Sequence, residues 1–170
     1  MRQLPDEATE LLHQLKAPRR LMAHLRLVHD VACELTDWLD ETYPAITFDA
    51  TAVRFGAATH DIGKVRHPEE LFAPGHLHEA AGEQLLLDAG VPPDLARFAG
   101  SHGTWGGESP LEHLLVSLAD KVWKAKRVPD LEQLVVERIG GEPWEVFLRL
   151  DDLLDGLAAG ADERLAFQNR

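Results

Sequence analysis

The sequence predicts an all-α domain of about seven helices. Apolar residues recur at three- and four-residue steps through most of the chain. Alternating strand-like runs and hairpin signals are nearly absent. Leu, Ala and Glu, which favour helices, are plentiful, while aromatics make up only 6% of the residues. With 170 residues, 45% of them hydrophobic, the chain can bury a full core. No linker long enough to divide it is visible, so residues 1–170 read as one domain.

Residues 6–16 form a first short helix. Pro18 suits the first turn of a longer helix running to about Glu41. In it Leu21, Leu25, Val28, Ala32, Leu35 and Leu39 make one apolar stripe, with His24 at its edge. Tyr43-Pro44 breaks the chain. Asp49 caps a helix through about Thr59, and Gly63 stops it. Residues 66–77 hold Pro68, Pro74 and Gly75 and read as a loop with room for one helical turn. A helix from about Leu77 to Ala89 ends at Gly90, and Pro92-Pro93 opens another that ends near Ser101. Gly103-Thr104-Trp105-Gly106-Gly107 is an irregular loop. Ser109-Pro110-x-Glu112 then supplies a capping hydroxyl, a proline at the first helical position and an acid in the first turn. That helix runs to about Lys126 and carries Asp120. Pro129 and Pro143 open the last two helices.

The net charge is −12, from 17 basic and 29 acidic residues. This argues against general nucleic-acid binding, which needs a basic footprint. No apolar run approaches the length of a membrane span, and the N-terminus lacks a signal-peptide apolar region. Cys33 is the one cysteine, so neither an intrachain disulfide nor a cysteine-based zinc site is expected, and it reads as a small buried apolar group. These features point to a soluble cytoplasmic protein without a membrane partner.

Six side chains carry the chemistry. His60-Asp61 ends an apolar helix and is followed by Ile62-Gly63-Lys64. The pair offers a borderline nitrogen donor and a hard oxygen donor from one piece of backbone. His24 borders a core stripe. His78 opens His78-Glu79-Ala80-Ala81-Gly82, whose small residues permit close helix packing. His102 ends a short helix, and Asp120 follows the apolar run Leu118-Ala119. Singly, a histidine on an apolar face is more often a hydrogen-bonded core residue, and an aspartate in a helix is usually on the surface. Together, six donors beside apolar residues would be costly to bury without a shared partner.

On His24-x-x-x-Val28, His60-Asp61-Ile62-Gly63-Lys64 and Ala119-Asp120-Lys121, the chain resembles the HD superfamily of metal-dependent phosphohydrolases. The resemblance spans roughly residues 20–127 and implies a helical core of the HD type, with 128–170 as a C-terminal helical extension. It implies a divalent transition metal, one or two per chain, from among Fe, Mn, Co, Ni and Zn. By analogy with members that carry two extra histidines, His24, His60, Asp61 and Asp120 would hold the first metal. Asp61, His78 and His102 would hold the second. The Gly-Tyr-Pro motif of the cyclic-di-GMP phosphodiesterases is missing.

The implied reaction is attack by metal-bound hydroxide on a phosphate ester or anhydride of a small phosphorylated substrate, with a nucleotide favoured. Asp61 and Lys64 are the candidate catalytic residues. Lys64, Trp105 and Arg127 are the candidate substrate contacts. Each of these three also has a plainer reading, as a helix-end lysine, a loop anchor and a surface arginine. Lys121, Lys124 and Lys126 form a basic cluster that either retains an anion or favours a helix C-terminus. Trp38, Trp123 and Trp144 read as packing residues. His13, His29, His67, His76 and His113 fall outside the pattern, and His76 lies nearest His78. Two other functions fit the same ligand set: an HD-type di-iron oxygenase and a non-catalytic nucleotide-binding HD module. The helices of 128–170 pack onto the core, onto a second copy in a homodimer, or around the substrate pocket.

Overall fold

In the computed structural model, residues 1–169 are described. They form nine α-helices and two short 3-10 turns, and no strand. The helices are α1 (Asp6–Gln14), α2 (Arg19–Thr42), α3 (Ala50–Thr59), α4 (Leu77–Asp88), α5 (Pro93–Ser101), α6 (Leu111–Val122), α7 (Pro129–Ile139), α8 (Pro143–Ala159) and α9 (Ala161–Gln168). The 3-10 turns span Ile62–Val65 and Pro68–Leu71. The count exceeds seven mainly at the C-terminal end, where the segment opened by Pro143 divides at Gly160 into α8 and α9.

Local chemistry sets most of these ends. Pro18 stands immediately before α2, and Asp49 caps α3 by accepting the Ala52 N–H at 2.9 Å. Gly90 follows α4 with φ +83°, a conformation that favours glycine. Two boundaries differ from expectation. Gly63 does not end the chain's helical run but lies inside the first 3-10 turn. Ser109 does not cap α6: Pro110 takes the cap position in an extended conformation, and the Ser109 hydroxyl accepts the Gly106 N–H instead. That helix also stops at Val122 rather than Lys126, because the chain turns through Ala125 at φ 60°.

The helices bury two apolar clusters. The larger joins α2, α3, α6, α7 and α8 through Leu35, Val53, Leu114, Leu118, Val135 and Leu150. The smaller joins α1, α2, α3, α4 and α5 through Leu12, Leu25, Phe55, Leu86 and Ala96. The α7 and α8 residues are part of the larger core, so the C-terminal segment packs onto the core rather than standing apart. Trp144, Phe147 and Leu148 of α8 remain exposed. On α2, Leu21 and Leu25 belong to the smaller cluster and Leu27 and Val28 to the larger. His24 therefore lies at the seam between them. No helix among the described residues is long and apolar enough to cross a membrane.

Glycines permit the close approaches at this seam. A Cβ on Gly63 would fall 1.9 Å from the His78 carbonyl oxygen and 2.5 Å from the Gly82 nitrogen. Backbone cannot yield by that much, so the turn after Asp61 packs on α4 only because residue 63 is glycine.

Leu114 is fully buried in the larger cluster. Leu114→Ala should lower unfolding free energy by about 2–5 kcal/mol, read from urea titration of the helical circular dichroism signal.

Candidate metal centre

Five helices bring the six donors to one place. His24 comes from α2. His60 and Asp61 come from the end of α3 and the bend into the first 3-10 turn. His78 comes from the first turn of α4, His102 from the end of α5, and Asp120 from α6. All six are buried. His24 Nε2 lies 3.2 Å from His60 Nε2, 3.1 Å from Asp61 Oδ2 and 3.6 Å from Asp120 Oδ1. His60 Nε2 lies 3.5 Å from Asp120 Oδ1. On the other side of the same carboxylate, Asp61 Oδ1 lies 3.0 Å from His78 Nε2 and 3.4 Å from His102 Nε2. Those two nitrogens are 3.5 Å apart.

The remote nitrogens show how the rings are held. His60 Nδ1 is 2.9 Å from the Ala57 carbonyl, His102 Nδ1 is 3.1 Å from the Ala99 carbonyl, and His78 Nδ1 is 2.5 Å from Glu70 Oε2. These oxygens accept, so the proton of each ring is assigned to Nδ1 and each Nε2 turns a lone pair inward. Lone pairs facing one another repel unless a cation lies between them. Asp61 Oδ1, buried and close to two ring nitrogens, has no hydrogen-bond partner. Orphaned buried acceptors of this kind are expensive in an otherwise satisfied interior.

A divalent metal resolves both costs. Donors about 2.0–2.2 Å from one ion lie roughly 3–3.5 Å apart in tetrahedral or octahedral sites, and the separations here match. Mixed imidazole and carboxylate ligation suits Mn, Fe, Co, Ni or Zn better than Ca or hydrated Mg. Two groups of donors close enough to share an ion are His24, His60, Asp120 and His60, Asp61, His102. A third is His78, Glu79, His102. Glu79 thus adds a carboxylate that the sequence reading did not single out.

Charge is compensated locally. Where no ion lies between them, protons taken up by the imidazoles play its part: burial alone would raise the Asp61 carboxyl, but His60, His102, His24 and His78 then hold it well below the ordinary carboxylate range. Burial opposes ionisation of Asp120 as well, and His60, Lys121 and His24 keep its carboxyl low. His78 is lowered by burial but raised on balance by Asp61 and then Glu70.

Of the expected substrate contacts, one touches the centre. Lys64 Nζ lies 2.5 Å from Asp61 Oδ2. Trp105 is partly buried against the larger core, with Lys121 Nζ 5.8 Å from its ring centroid. Arg127 departs from expectation. Its guanidinium nitrogens donate to Glu132, Asp151 and Asp155, so its charge ties α7 to α8 and is not left for a phosphate. His76 is exposed and contacts Glu79 rather than any of the six expected donors. Trp123 is buried as a packing residue, and its ring lies edge-on to that of His24 at 5.1 Å between centroids.

Glu70 is the functional residue missed in the sequence. It accepts the Leu77 and His78 backbone N–H groups at 3.0 and 3.1 Å besides contacting the His78 ring. A Cβ on Gly75 would fall 2.0 Å from Glu70 Oε1, so the loop closes around this carboxylate. No local pattern marks such a residue, because its partner lies eight positions away across a proline-bounded loop. Ser117 similarly fixes His102, donating to its carbonyl at 2.9 Å.

The HD domain family matches residues 21–123, and the chain belongs to it. No curated protein and no solved structure matches the chain. The family is a superfamily of metal-dependent hydrolase type, and the histidine and aspartate clusters are of the kind that bind divalent metal.

Glu70→Gln should keep the helical fold and lower metal affinity about 10–100-fold, as loss of a carboxylate behind a ligating imidazole does, measured by metal titration. Burial opposes ionisation of Glu70, but the His78 ring and the two backbone N–H groups bring it down to about 2 from 4.5. Its folded value is depressed, so its stabilisation is present above about pH 4.5 and is lost as pH falls toward 2. Glu70→Gln should flatten that acid limb in denaturation curves taken across this range.

Proposed function

We propose that the protein is a metal-dependent phosphohydrolase acting on a phosphate ester or anhydride of a small metabolite, with a nucleotide as the substrate class. The carrying observation is Asp61: one buried carboxylate turns Oδ2 toward His24 and Oδ1 toward His78 and His102. A carboxylate shared in this way is suited to bridge two ions. His24, His60, Asp61 and Asp120 would hold one, and Asp61, His78 and His102 the other. Bound there, divalent metals lower the pKa of water to near neutrality and stabilise phosphoryl oxygens during in-line displacement.

The chain's own groups do the rest. The Nδ1 bonds of His60, His78 and His102 fix ring orientation before substrate arrives, which removes reorganisation from the reaction. Lys64 supplies an ammonium to offset charge on the phosphoryl or leaving oxygen. Trp105 offers a face on which a nucleobase can stack. In the reaction the oxygen of water bonds to phosphorus, the bond from phosphorus to the ester or anhydride oxygen breaks, and the proton of water passes to the leaving oxygen. We take residues 20–127 as the HD core and 128–170 as the extension that braces it. The exposed Trp144, Phe147 and Leu148 of α8 are where a homodimer contact is to be sought.

Protein loaded with Mn or Co should carry about two ions per chain by elemental analysis and release phosphate from nucleotide substrates without consuming oxygen. Asp61→Ala should lose metal and activity together while keeping its helical circular dichroism. Full activity in that variant, or iron-dependent oxygen uptake in place of phosphate release, contradicts the reading.

A further inference from the structure

Lys121 occupies a place at the centre that no donor role explains. It follows Asp120 on α6, and its Nζ donates to Asp120 Oδ2 at 2.6 Å. The other oxygen, Oδ1, is the one that faces His24 and His60. The carboxylate is thus divided, one oxygen toward the imidazoles and one toward the ammonium. A cation taken by Oδ1 leaves the Lys121 bond in place. Lys64 differs, since it contacts Asp61 Oδ2, the same oxygen that lies 3.1 Å from His24 Nε2.

The Lys121 side chain is only 16% exposed, and Trp105 lies beside its ammonium. An ammonium carries three donors. Asp120 takes one, and no other acceptor among the described residues takes a second. Lys64 likewise has Asp61 as its acceptor. Two largely buried ammoniums with donors to spare therefore flank one cluster of metal-type ligands.

We propose that Lys121 is a specificity-determining contact that selects a terminal, dianionic phosphoryl group over a phosphodiester. The proposal rests on the phosphohydrolase reading above. Three separate attractions for anionic oxygen adjoin one another: the donor cluster when it holds metal, Lys64 beside Asp61 and Lys121 beside Asp120. A terminal phosphoryl group has three non-bridging oxygens and two negative charges, enough to satisfy all three. A diester has two such oxygens and one charge. Its third oxygen carries carbon, which leaves a mostly desolvated ammonium donor without an acceptor. The substrate class narrows accordingly to phosphomonoesters and terminal phosphates of nucleotides.

The test uses Mn-loaded protein of measured metal content, titrated calorimetrically with inorganic phosphate as its dianion and with dimethyl phosphate. Phosphate should bind at least roughly ten-fold more tightly than dimethyl phosphate, since one charge-assisted hydrogen bond is at stake. Lys121→Met should lose roughly ten-fold or more of the phosphate affinity with metal content unchanged. Lys121→Arg should recover most of it. Equal affinities for the two anions in the metal-loaded protein overturn the proposal, as does Lys121→Met binding phosphate like the parent. A fall in metal content that accounts for the lost affinity also overturns it, by making Lys121 a positioning residue for Asp120. Protein that takes up no metal overturns the hydrolase reading and this proposal with it.

Discussion

A single carboxylate, Asp61, sits 2% exposed among four imidazoles. Burying a charge of this kind costs several kcal/mol unless partners converge on it. Every element near the site serves that convergence. The α3 helix ends at Thr59 so that His60 and Asp61 bend inward, and α2, α4 and α5 each turn an Nε2 toward the same two oxygens. Three of the four rings, those of His60, His78 and His102, are held from behind by carbonyls and by Glu70, so their Nε2 lone pairs face the centre. The geometry is that of a ligand set arranged ahead of its ion.

That arrangement depends on backbone contact as much as on side chains. The turn after Asp61 touches α4 at Gly63, where a single Cβ would collide with the His78 carbonyl. Gly82 on α4 meets it from the other side, its own Cβ position 3.1 Å from the Gly63 nitrogen. The approach of His78 to Asp61 requires glycine at 63, and glycine at 82 leaves room beside it. The two apolar clusters flank this contact and keep water from the seam. The smaller cluster anchors α4 and α5, which carry His78 and His102, to α1, α2 and α3.

Much of this was legible in the sequence, for reasons that belong to particular residues. His24, His60, His78, His102 and Asp120 are polar groups beside apolar stripes or at helix ends, and such positions stand out against a 3.6-residue period. The packing of His78-Glu79-Ala80-Ala81-Gly82 could be anticipated from its small residues. Glu70 could not, because its partners are created by a loop closing at Gly75. Arg127 looked available for a phosphate because its three carboxylates come from α7 and α8, brought together only by the tertiary fold. Ser109 misled for a local reason: Pro110 adopted the extended cap conformation itself.

The central claim is that Asp61 joins two ions, each held by its own histidines. Anomalous-difference crystallography at the absorption edge of the bound metal tests it most directly. The account predicts two peaks, roughly 3.5–4 Å apart, both against Asp61. One should be bounded by His24, His60 and Asp120, and the other by His78 and His102. A single peak, or peaks that leave Asp61 without a metal contact, would contradict it.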